Sequence, residues 1–142
     1  MDLLLVLRDA LASSLVGGLL AAMDAKKLGQ EVGVVFTQEA LAAAAKGSFQ
    51  WPRELSGQDM RLLMADRGAE LGLPILGRGE GRQLDAKALI SRAREAGVRL
   101  YACPNWSALL GLRDEPPHDM ETLDAQAFQA LVRDATKVVG TL

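Results

Sequence analysis

Short aliphatic runs alternate with helix-length stripes along this chain, and that alternation restricts the fold more than any other feature. LLLVL (Leu3–Leu7), VGVVFT (32–37), VRLYAC (98–103) and KVVGTL (137–142) each read as a strand. Continuous apolar runs of this kind belong to strands buried on both faces, as in a parallel sheet. Between the first two, Leu11, Leu15, Leu19 and Met23 stand four residues apart, a helical stripe that Gly29 stops after two lysines. QEALAAAAKG is a short helix closed by Gly47. Gly33, inside the second strand, lets a neighbouring backbone approach.

The middle is less regular. SFQWPRE is a loop, and SGQD (56–59) has the form of a capping box for a helix running to about Leu71, with Gly72 as its stop. LPILGRGEGR, with Pro74 and three glycines, is expected to be an exposed, mobile connection. GRGEGRQLDAKAL has a superficial likeness to a phosphate loop but lacks the lysine–hydroxyl pair, so a flexible loop is preferred. Asp85 caps the helix AKALISRAREAG, which Gly97 ends. NWSALLGL is a short helix, RDEPPHD a loop, and Asp124 caps AQAFQALVRDA. The expected architecture is one α/β domain over residues 1–142, with helices on both faces of a mostly parallel sheet.

Composition narrows the function. The 142 residues are 49% hydrophobic and 24% charged, with formal net charge −2, so there is no basic footprint for nucleic acid or an anionic membrane. The N-terminal stretch MDLLLVLRDALASS carries Asp2 and no positive region, so no secretory signal is expected, and the apolar stretch 15–23 is too short to span a bilayer. One cysteine excludes an internal disulfide or a CxxC pair and suits a reducing cytosol, so a cytoplasmic location is expected. DEPPHDMETLD gathers acidic residues around the lone His118, but its spacing matches no standard metal set. No metal or cofactor is expected.

That cysteine, Cys103, lies in VRLYACPNWSALLGL, where a strand hands over to a helix. Ligands of open parallel sheets gather at the carboxyl ends of strands. The helix is expected to start at or near Pro104 or Asn105, since proline suits the first turn and asparagine the cap. A thiol at a helix N-terminus meets oriented amides that favour the thiolate. The bland alternative is a buried cysteine acting as a small hydrophobe. Thr37, Gln38 and Glu39 should line the same edge, and Thr37 and Glu39 with Pro104, Asn105 and Trp106 are the candidate binding residues. Glu39 would raise a neighbouring thiol's pKa, so it receives no catalytic role and equally suits the start of its own helix. Ser13 and Ser14 are bystander candidates. Chemistry with a single sulfur remains: a persulfide carrier, a lone nucleophile, or a thiol that pairs with another protein.

EAGVRLYACPNWSALLGL resembles the segment of DsrE/DsrF-like (sulfur relay, TusD-type) proteins in which a helix ends in glycine, a strand follows, and a cysteine starts a short helix. ASSLVGGLLAAMDAKKLGQEVGVVFTQEAL is similar to that family's first helix and second strand, and DATKVVGTL to its closing strand. Residues 48–82 match least, and GRGEGR belongs to no family pattern. The resemblance implies a three-layer α/β/α sandwich of about five parallel strands. It also implies a homo-oligomer, trimer or hexamer, and a place for Cys103 as the residue carrying persulfide sulfur between donor and acceptor proteins. The competing expectation is a non-catalytic oligomeric module that binds a small ligand or a partner protein on the same fold. Burial of Cys103 separates the two.

Overall fold

The computed structural model describes residues 1–140; the last two residues of the expected final strand lie outside the described residues. The elements are β1 (Leu3–Leu7), α1 (Ala12–Lys27), β2 (Val32–Phe36), α2 (Gln38–Lys46), α3 (Gln58–Glu70), β3 (Ile75–Leu76), β4 (Gln83–Leu84), α4 (Ala88–Glu95), β5 (Arg99–Ala102), α5 (Pro104–Leu109), β6 (Glu121–Thr122), α6 (Ala125–Asp134) and β7 (Lys137–Gly140). Five strands form one parallel sheet in the order β6-β5-β2-β1-β7, and flanking helices complete a three-layer α/β/α sandwich. No helix among the described residues is long and apolar enough to cross a membrane.

Topology explains the layers. From β1 the chain steps to β2, β5 and β6 in one direction, then returns across the sheet to β7 beside β1. Right-handed crossovers place the helices of the outward steps on one face and the returning helix on the other. Leu5, Leu7, Val34, Phe36, Leu100 and Ala102 pack on the first face with Leu15 and Leu19 of α1, Leu41 of α2 and Leu89 of α4. Leu4, Val35, Tyr101 and Cys103 point to the opposite face, where Phe128, Leu131 and Val132 of α6 cover them in part. That second face is thinly roofed: α6 has no fully buried residue, and Val138 of β7 stays 46% exposed.

Alternation along the strands sets this division, and Gly33 belongs to it. A Cβ there would sit 2.6 Å from Met1 Sδ and 3.0 Å from Tyr101 Cε2. The glycine therefore admits two side chains onto the second face, not a neighbouring backbone. Leu11 also departs from expectation. It precedes α1, is exposed, and bridges to Gln50, so the buried stripe is Leu15, Leu19 and Met23.

Local signals succeed where a side chain has no competing partner. Asp124 caps α6, its Oδ1 accepting from the Ala127 amide at 2.7 Å; Asp85 Oδ1 accepts from the Ala88 amide at 3.1 Å, but Lys87 rather than Asp85 takes the cap position of α4. The capping box at 56–59 does not form. A 3-10 turn over Arg53–Leu55 leads into Ser56, whose hydroxyl donates to the Arg53 carbonyl, and Gly57 takes the cap position.

The glycine-rich stretch is a fastened hairpin rather than a loose connection. β3 and β4 pair antiparallel, Arg82 donates to Asp66 of α3 at 2.8 and 3.0 Å and to the Gly79 carbonyl at 2.6 Å, and Arg61 donates to the Arg82 carbonyl. The hydrogen bond from Arg82 holds the Asp66 carboxyl below its ordinary pKa. With a depressed folded pKa, the pair's contribution is present above the usual aspartate range and fades as pH falls through the lowered value. A carboxyl NMR titration should give Asp66 a midpoint below that of an unpaired aspartate, and Arg82→Gln should return it to the ordinary range. An unmoved midpoint would refute the pairing in solution.

Candidate functional site

The carboxyl edge of the sheet brings the sequence candidates together. Phe36 and Ala102 are register partners, so Thr37 and Cys103, the next residues, end adjacent strands. The Cys103 amide donates to the Phe36 carbonyl at 3.0 Å, extending the ladder by one bond. Its own carbonyl then accepts from the Ser107 amide at 2.8 Å and opens α5. Cys103 is thus the N-cap itself, Pro104 occupies the first helical position, and Asn105 follows inside the helix instead of capping it. Proline fits there because that amide has no intrahelical partner to lose.

The sulfur is not on display. Cys103 is 6% exposed and packs with Leu4, Val35 and Tyr101, with Trp106, Leu123 and Phe128 around the cluster. The strand-end placement matches the sequence reading, whereas the burial is that of a packed thiol. Trp106 touches the clusters on both faces of the sheet. Pro104 is buried and Asn105 exposed, and Thr37 is 8% exposed without capping α2 through its side chain. Glu39 is exposed in the first turn of α2, the place its helix-starting role requires. Ser14 donates to Asp9 at 3.0 Å, which is structural work.

The backbone of Gln38, expected only as part of this edge, was not foreseen. Its φ is +53°, in the left-handed region that non-glycine residues rarely occupy. Hydrogen bonds on either side hold it: the Thr37 amide donates to the Leu7 carbonyl and the Ala40 amide to the Arg8 carbonyl, each at 3.0 Å. Glutamine gives no local signal for such a turn, so only the docking of α2 on the end of β1 fixes it.

Beside Cys103 a cleft of about 350 Å³ opens among Asn105, Ser107, Arg113, Thr122, Leu123 and Asp124. Ser107 lies one helical turn beyond Cys103 and is 3% exposed, yet its buried hydroxyl has no hydrogen-bond partner among the described residues. Leaving such a group unpaired costs about 1–3 kcal/mol. Arg113 enters no ion pair among the described residues. Two other acidic residues of this region have structural partners. Asp119 accepts from Ser91 and Arg94, and Glu121 pairs with Arg99. No cluster of three or more His, Cys, Asp or Glu side chains able to hold a metal ion occurs among the described residues.

Neither a scan against protein-family models nor a search of curated proteins finds a match for this chain. The chemistry open to the site therefore rests on its own parts: one enclosed thiol at a helix start, and a polar cleft next to it.

Proposed function

We propose that this protein is a sulfur-relay protein of DsrE/DsrF-like type, accepting and donating sulfane sulfur as a persulfide on Cys103. The observation that carries this reading is the position of Cys103, which ends β5 at the carboxyl edge of a parallel sheet and caps the following helix. The reading needs one thiol, a docking surface, and no metal or resident cofactor. Loading is redox-neutral. The Cys103 thiolate attacks the outer sulfur of a donor persulfide, a new S–S bond forms at Sγ, the donor's S–S bond breaks, and the donor leaves as a thiolate. Unloading reverses the roles, with an acceptor thiolate attacking the outer sulfur. On this reading a donor or acceptor protein would meet the exposed Glu39 and Asn105 and the half-buried Trp106, with the buried Thr37 and Pro104 behind them. The reading includes a cytoplasmic location and a homo-oligomer of three or six chains. The thinly covered second face is consistent with assembly.

The 6% exposure of Cys103 favours a second reading, a non-catalytic module in which the thiol is packing and the cleft binds a small ligand or a partner protein. Alkylation separates the two. A sulfur carrier must open locally, so iodoacetamide should label native Cys103 much faster than the chain unfolds globally. Labelling only at the global unfolding rate would support the packed-thiol module.

A further inference from the structure

The cleft beside Cys103 has features the sulfur-carrier reading leaves unused. Its wall holds one cation without an ion-pair partner among the described residues, Arg113, and one carboxylate, Asp124. One Asp124 oxygen is committed to the Ala127 amide, which leaves the other for a ligand. Ser107 adds a buried hydroxyl with no partner, and Asn105 and Thr122 add groups that both donate and accept. Buried polar groups in native proteins are almost always paired, so an orphan in the wall of an open cleft points to a missing ligand atom. The volume of about 350 Å³ lies at the lower end of small-molecule sites, roughly 300–1,000 Å³.

An anion alone would fit Arg113 but would face Asp124. A cation alone would fit Asp124 but would face Arg113. A ligand carrying both charges on one small frame uses both groups. We propose that this cleft binds the zwitterionic head group of an α-amino acid, its carboxylate on Arg113, its ammonium on Asp124, and a polar atom on the Ser107 hydroxyl. Leu123 lines the cleft and also packs in the cluster around Cys103, and Pro104, another lining residue, adjoins the thiol in sequence, so the cleft borders the shell of the sulfur residue. The class of ligand is therefore a thiol-bearing amino acid or its persulfide. The choice of a thiol rests on the sulfur-relay reading; the recognition of the head group does not.

Calorimetric titration of the full chain with L-cysteine, under reductant, tests the site, with cysteamine and 3-mercaptopropionate as probes lacking one charge each. Saturable L-cysteine binding is expected, with each probe at least about tenfold weaker, since a lost charged partner costs more than the 1.4 kcal/mol of one decade. Three variants sharpen the result. Ser107→Ala should hold or raise the thermal midpoint, because it removes an unpaired hydroxyl, and should still weaken binding. Asp124→Asn keeps a good cap, and Arg113→Gln touches no structural ion pair; both should fold normally and lose affinity. No binding of L-cysteine, equal binding of all three compounds, or unchanged affinity in all three variants would overturn the proposal. Polysulfide loading of Cys103, measured separately, isolates the parent reading: loading without L-cysteine binding sinks the cleft alone, and binding without loading sinks the sulfur relay.

Discussion

Replacing Phe36 with alanine should lower the thermal midpoint by on the order of 10–20 °C. Phe36 is fully buried at the end of β2, the middle strand of the sheet, and packs in the larger cluster with the faces of α1, α2 and α4. Truncating a buried phenylalanine costs about 3–5 kcal/mol, because surrounding helices relax only partly into the space. Domains of this size hold only about 5–15 kcal/mol in total. A calorimetric melt of Phe36→Ala beside Val138→Ala, at a half-exposed edge position, supplies the comparison. Val138→Ala should stay within about 1 kcal/mol of the parent. A shift of only a few degrees for Phe36→Ala would mean that the core is not arranged as described.

The second large effect is expected at Trp106. This half-buried side chain packs against both clusters and belongs to the shell around Cys103. Its removal should cost about 2–3 kcal/mol, less than for a fully enclosed tryptophan. Much of that loss should fall on the local opening that uncovers the thiol. At 1.4 kcal/mol per decade, native-state alkylation of Cys103 should then speed up more than about tenfold. Leu89→Ala is the control: Leu89 is fully buried in α4 on the opposite face, so it lowers global stability without unroofing the sulfur. If the two variants accelerate labelling equally, exposure of Cys103 goes through global unfolding and Trp106 is not its cover.

The parts of the fold legible in the sequence are those written by local chemistry. Gly29, Gly47, Gly72 and Gly97, read as helix stops, all have positive φ, and the four aliphatic runs all join the same sheet. Strand β6 could not be read this way. Glu121 and Thr122 are exposed and polar, and only pairing with Tyr101 and Ala102 makes them a strand. The hairpin of β3 and β4 was hidden for a similar reason, since its order comes from Arg82 reaching Asp66, sixteen residues away. At the site, the placement of Cys103 followed from strand, proline and helix in succession. Its burial stood only as the alternative, because Leu123 and Phe128, which pack around it with Trp106, come from a later part of the chain. Ser107 went unnoticed among the small residues of NWSALLGL. A serine one turn beyond the cysteine was the available signal, but its lack of a partner is a property of the packed structure alone.

The proposed sulfur relay stands or falls most directly on intact mass. Purified protein is incubated with polysulfide beside Cys103→Ser, and both are weighed before and after a thiol reductant. The account predicts a gain equal to one sulfur atom on the parent chain, removed by reductant and absent from the serine variant, with both proteins folded. A folded parent chain that gains no sulfur, or a serine variant that gains it equally, would contradict persulfide carriage on Cys103.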